Sequence, residues 1–155
     1  MTFALTSPIT GQAQTGFTAP TYTHVSDQAP DISGKQVAVT ALGGTQAGVT
    51  THSMSSPFTF TFFRPKVFRF LGKPNPTTGL IKDVPRNTFK GITRKGVTVL
   101  VGQPFQNMQI TTIIDLPAGA DTADAPNVRA ALSLHFGALV QQSSGIGDTS
   151  VTGIV

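Results

Sequence analysis

Up to about Leu116 the apolar positions of this chain recur at every second residue, and after Asp124 they recur at every third or fourth. The first period belongs to strands, whose successive side chains point to opposite faces, and the second to a helix. Phe58, Phe60 and Phe62 alternate with Thr59 and Thr61, which predicts a strand with one apolar face and one hydroxyl face. Before it, Val37, Val39 and Ala41 alternate with polar neighbours. Gly43-Gly44 then reads as a turn toward a further strand around residues 49–54. The first segment, residues 2–25, reads as a hairpin turning between Gly11 and Gly16. Residues 64–87 read as a long hairpin with Pro74 and Pro76 in its tip. A strand over 88–97 follows. The last strand sets Met108, Ile110 and Ile114 on one face and Phe105, Asn107, Gln109 and Thr111 on the other.

Asp124 is placed to cap a helix, and Pro126 fits its first turn, where a missing N–H costs little. Val128, Ala131, Leu132, His135, Phe136, Leu139 and Val140 form its apolar stripe. The pattern predicts one long helix over about 124–142 and a short one over 147–153. The fold class is therefore α+β: about six antiparallel strands followed by two C-terminal helices, in a single domain over 1–155. Two such helices cannot cover a face of the sheet, and an open sheet leaves its edges unpaired. A homodimer that joins edges and lays each chain's helices across its partner answers both needs.

Composition sharpens this expectation. Only 12% of the 155 residues are charged, against about 25% in a typical soluble domain. So little charge points to a surface that meets other protein over much of its area. With no cysteine there is no disulfide framework, zinc ribbon or thiol chemistry. The first basic residue is Lys35, so no signal peptide is expected. The longest charge-free run, residues 36–63, is broken throughout by Thr, Ser and Gly, and no membrane partner is expected.

Charge is also unevenly placed. Nine of the 11 basic residues fall between Arg64 and Lys95, opposed there by Asp83 alone, a local +8 in a chain of net +4. Arg86, Lys90 and Arg94 share one face if their strand is regular. Such a row would neutralise phosphates and make affinity fall with salt. The competing reading is an exposed hairpin that needs charge to stay soluble and unpaired. On the same face, Thr59, Thr61, Asn107 and Gln109 could bond bases or the ribose 2′-hydroxyl, and Phe105 could stack on an unpaired base. Catalysis finds little support. His24, His52 and His135 are scattered, and His135 lies on the helix stripe as a packing residue. No metal-ligand spacing and no cofactor motif is present, so no enzyme and no cofactor are expected.

The order of the local motifs resembles the coat proteins of single-stranded RNA bacteriophages, the levivirus-like group. The matching segments are Val37-Ala38-Val39-Thr40 with Gly43-Gly44, Ser56-Pro57-Phe58-Thr59-Phe60-Thr61-Phe62 and Pro85-Arg86-Asn87-Thr88-Phe89-Lys90. Ile92 to Val97, Asn107-Met108-Gln109-Ile110, Asn127 to Leu132 and Thr152-Gly153-Ile154 continue the likeness to the end of the chain. The resemblance implies an N-terminal hairpin, a five-stranded antiparallel sheet and two helices that interlock in a dimer. It further implies an icosahedral capsid built of such dimers in the bacterial host cytoplasm, enclosing single-stranded genomic RNA in the virion. In relatives the inner sheet face also binds an RNA hairpin that acts as translational operator. The places of its contacts look like Thr59, Thr61, Lys90, Arg94, Phe105, Asn107 and Gln109, with Arg86 added by the basic row. Familiar members carry Tyr where this chain has Phe105. They also have a longer connection at 100–106 and a shorter one at 64–87. Two other readings stay open at this point: a dimeric RNA-binding regulator that forms no shell, and a phage surface or tail β protein.

Overall fold

The computed structural model describes residues 2–155. Six strands form one sheet: β1 (Ile9–Thr10), β2 (Thr18–Asp27), β3 (Gly34–Thr45), β4 (Phe58–Phe63), β5 (Arg86–Val97) and β6 (Gln106–Pro117). Their spatial order is their chain order, and every neighbouring pair is antiparallel. Three helices follow, α1 (Ala120–Ala123), α2 (Ala125–Gln141) and α3 (Ser143–Thr152).

The hairpin-plus-five-strand layout is thus corrected to a continuous six-stranded sheet. The N-terminal hairpin does turn between Gly11 and Gly16, but its return strand pairs with β3 from Thr18↔Thr45 to Asp27↔Gln36. Gly43 and Gly44 permit this. They do not turn the chain but lie inside β3, where Gly44 has φ +70° and any side chain would run into the Ala19 backbone. The strand expected over 49–54 is a loop, joined to β3 by one bond from the His52 N–H to the Val39 carbonyl (2.8 Å). Residues 64–85 form no hairpin either. They are a strandless arm, since Pro65, Pro74, Pro76 and Pro85 remove donors that a ladder would need.

The long helix starts where its pattern predicts: the Asp124 carboxylate accepts from the Asn127 N–H (3.4 Å), with a proline in the first turn. α3 starts at Ser143 and not 147, because Gly145 and Gly147 lie within it. There, the Gln14 amide fills the space a side chain on Gly147 would occupy. Its Nε2 donates to the Ser143 carbonyl (2.9 Å) and Oγ (2.7 Å). Thr15 adds a bond to Asp148 (2.9 Å), so the first turn of the chain is clasped to the last helix.

One sheet face is aromatic. Phe58, Phe60 and Phe62 of β4 share it with Phe89 of β5. Phe3 stacks on Phe62 at 4.7 Å, and Tyr22 meets Phe58 edge-on at 5.6 Å. Yet the apolar side chains that are buried are only Pro20, Ala38, Val39 and Ala118 among the described residues. Val128 and Leu132 of α2 are half-buried, in a groove beside residues 113–117. From Ser133 to Gln141 every residue of α2 is exposed, including Phe136, Leu139 and Val140 of the apolar stripe. His135, expected to be a buried packing residue, is exposed with them and meets Phe136 edge-on. The chain exposes 11081 Å², where a folded monomer of 16.2 kDa would expose about 7,500 Å². No helix among the described residues is long and apolar enough to cross a membrane.

Candidate nucleic-acid interface

The register decides which side chains share the face opposite the aromatic one. Residues directly opposite in an antiparallel ladder point the same way. Thr59 pairs with Arg94, and Arg94 with Gln109. Thr61 lies level with Ile92 and Thr111, and Phe63 with Lys90 and Ile113. Asn107 is opposite Gly96, and Arg86 opposite Pro117. Seven of the eight candidate residues therefore fall on one face of three adjacent strands. Phe105 lies just outside, in the turn before β6, with its ring partly exposed at 38%.

Arg86, Lys90 and Arg94 recur every fourth residue along β5, about 13 Å apart at the usual strand rise. None has a carboxylate partner: the one ion pair among the described residues joins Lys66 to Asp31. That pair, with the Ser33 N–H, holds the Asp31 carboxyl down to about 2. The +8 stretch is thus divided by the fold. Lys66 is neutralised, and Lys95 turns to the aromatic face. There its ammonium lies 5.0 Å from the Phe58 ring centre and bonds Thr50 Oγ1 (2.8 Å). Burial lowers the Lys95 pKa, since the charged form loses hydration.

The two threonines are not available as the hydroxyl face suggested. Thr59 and Thr61 are buried, Thr61 completely: both are short side chains on an inner strand, Thr61 between Gln36 and Ile92, and Thr59 between Ala38 and the longer Arg94. The Thr61 hydroxyl donates to Gln36 Oε1 (2.7 Å), and Gln36 Nε2 donates to Asp27 Oδ2 (2.6 Å). This chain of bonds ties β4, β3 and β2 together. Gln36 first, and then the Gln28 N–H, lowers the Asp27 pKa by bonding its charged form. Neither Gln36 nor Asp27 stands out in the sequence. Alternation with Val37 puts Gln36 on the polar face, but only the pairing of β3 with β4 sets it beside Thr61.

Gln36→Leu is expected to cost about 1–3 kcal/mol at pH 7, since it strands a buried hydroxyl. A carboxyl held below its ordinary value of 3.8 stabilises the fold above that value, and the gain is lost as pH falls through the lowered one. The variant should therefore also show a flatter loss of stability below pH 4. Urea melts across pH check both effects, and an unchanged acid limb would remove Asp27 from the account.

Asn107 and Gln109 are exposed on β6, and Gln109 Nε2 donates to the exposed Thr111 (3.0 Å). Thr111 lies on the face its alternation predicts and extends the polar row. The histidines form no site. His52 Nδ1 accepts from the Phe58 N–H (3.1 Å), both ring nitrogens of His24 are buried without a partner, and no metal-binding cluster occurs among the described residues.

A chain in the solved virus-like particle of bacteriophage ESE020 is 56% identical to this one. The match covers 99% of this chain and 100% of that chain, with a TM-score of 0.97. The chain belongs to the family of phage coat proteins. No family model and no curated protein matches it. The coat protein's exposed helices are included in that match, so their stance off the sheet is shared with the relative's chain. The coat protein carries a structural role, and its two sheet faces divide that role's demands: apolar and incomplete on one side, polar and cationic on the other.

Proposed function

We propose that the coat protein dimerises through the β6 edge and the exposed stripe of α2, assembles into an icosahedral shell, and packages single-stranded RNA against the face bearing Arg86, Lys90 and Arg94. One observation carries the reading. The chain leaves about 3,500 Å² more exposed than a monomer of its mass, the scale of an obligate interface. β6 supports the edge pairing: it is 12 residues long, borders the sheet, and exposes Met108, Ile110 and Ile113. Two such sheets joined at β6 would make twelve continuous strands. α2, uncovered beyond Leu132, would lie across the partner.

On the other face, three unpaired cations per chain neutralise phosphates whatever the RNA sequence. Phe105, Asn107 and Gln109 border that row and favour a second activity, binding a structured RNA hairpin as an operator. Thr59 and Thr61 lie beneath this face, and Thr61 ties β4 to β3 through Gln36. Dimers formed in the bacterial cytoplasm would enclose the RNA, and the mature location would be the virion.

The test is expression of the coat protein alone. Electron microscopy is expected to show uniform particles, and nucleic acid extracted from them should be degraded by RNase. A chain that stays dimeric at every concentration and salt would favour a regulator. One with no salt-dependent RNA affinity would favour a surface or tail protein.

A further inference from the structure

The arm over 64–85 is too well built for a solvent loop. At its base the Asn87 side chain grips the Arg69 backbone twice, accepting from its N–H (2.8 Å) and donating to its carbonyl (2.9 Å). The Arg64 N–H donates to the Ser33 carbonyl (3.1 Å), Lys66 pairs with Asp31, and Phe68 packs on Phe89 at 6.2 Å. Leu71 fills the space beside Gly119, at the entrance to α1. The tip is closed by the Asn75 N–H on the Leu80 carbonyl (2.9 Å), the Gly79 N–H on the Asn75 carbonyl (2.7 Å), and the Asn75 side chain on the Thr77 N–H (2.8 Å). A segment already ordered loses little entropy when it docks.

What this arm displays is mixed. Val67, Phe70 and Leu80 are 79%, 83% and 71% exposed, and Lys73 and Lys82 have no side-chain partner. Exposed apolar groups rimmed by charge mark a protein contact more than a phosphate contact. The arm's seat agrees, because Asn87 and Phe89 lie on the aromatic side of β5, opposite the Arg86, Lys90 and Arg94 row. Its charge has a complement in the same chain. Outside the arm, Asp27, Asp31, Asp115, Asp124 and Asp148 each hold a side-chain hydrogen bond or ion pair. Asp121 of α1 alone has neither among the described residues, and it is exposed at the end of the sheet where the arm begins.

We propose that the arm of one copy docks on the α1 corner of a neighbouring copy, with Lys73 and Lys82 facing Asp121, and Phe70 and Leu80 covered between them. Repeated head to tail, arm to corner, the contact links copies into rings where the rotation closes. This inference rests on the shell-forming reading and adds where dimers grip one another.

The test uses the full chain. Lys73→Glu with Lys82→Glu should leave dimers intact by size-exclusion chromatography and lower particle yield at least tenfold. Adding Asp121→Lys should restore it. Phe70→Ser with Leu80→Ser, which removes no charge, should lower particle yield as well. Particles at parental yield but with less RNA in the lysine variant would make the arm an RNA contact and overturn the proposal. Failure of Asp121→Lys to rescue, in a chain whose parent does form particles, would overturn the docking alone. If the unaltered chain forms dimers but never particles, the shell reading itself fails and takes this proposal with it.

Discussion

Replacing Phe136 and Leu139 of α2 by serine is expected to convert the proposed dimer to monomer at micromolar concentrations while the sheet still forms. Both side chains lie on the helix stripe and are 46% and 40% exposed in the single chain. Covering the exposed remainder of a large apolar side chain already more than half buried contributes about 1 kcal/mol. Two from each chain make about 4 kcal/mol per dimer, so the dissociation constant should rise by about three powers of ten. Sedimentation equilibrium measures this directly, and no particles should form. A dissociation constant within tenfold of the parent's would remove α2 from the dimer interface and leave β6 to carry it. The neighbouring Leu132 serves as a control, since it is half-buried within the chain, in the groove beside the end of β6.

The second large effect concerns nucleic acid. Changing Arg86, Lys90 and Arg94 together to alanine should leave particles that contain little RNA. The dependence of RNA affinity on salt should weaken too, by about 0.7 in log–log slope for each single-strand phosphate deprived of its cation. Absorbance ratios of purified particles and binding titrations across salt give the two readouts. Phe105→Ala should act differently. It should leave bulk RNA content unchanged and weaken a structured hairpin by about 1–3 kcal/mol if the ring stacks on a base. Unchanged RNA content in the triple variant would move the packaging surface off this face. The remaining basic residues of the arm would then be its seat, and the docking inference would fall with it.

The fate of the basic stretch explains why the site was only partly legible in the sequence. Even spacing correctly placed Arg86, Lys90 and Arg94 on one strand face, because alternation is a local property of extended backbone. Nothing local could reveal that Lys95, one residue on, would lie over Phe58, or that Lys66 would find Asp31. Both depend on which strands and loops become neighbours. Thr59 and Thr61 teach the same point about exposure. Their period put them on the polar face, yet burial depends on the length of the side chains beside them, and those belong to β3 and β5.

Periodicity by itself determined that antiparallel strands precede the helices, the aromatic face of β4, the Asp124 cap of α2 and the absence of a self-sufficient core. These follow from short-range sterics, capping and the count of apolar residues. Tertiary structure decided the rest. It drew Gly43 and Gly44 into β3, so that the N-terminal hairpin joins the sheet. It opened the 64–87 segment into an arm, where prolines deny a ladder its donors. It also tied the Gly11–Gly16 turn to α3 through Gln14 and Thr15, which lie 129 and 133 residues from their partners in sequence. Each of these outcomes turns on a pairing between distant segments, whose free energy depends on the partner's shape as much as on the residues themselves.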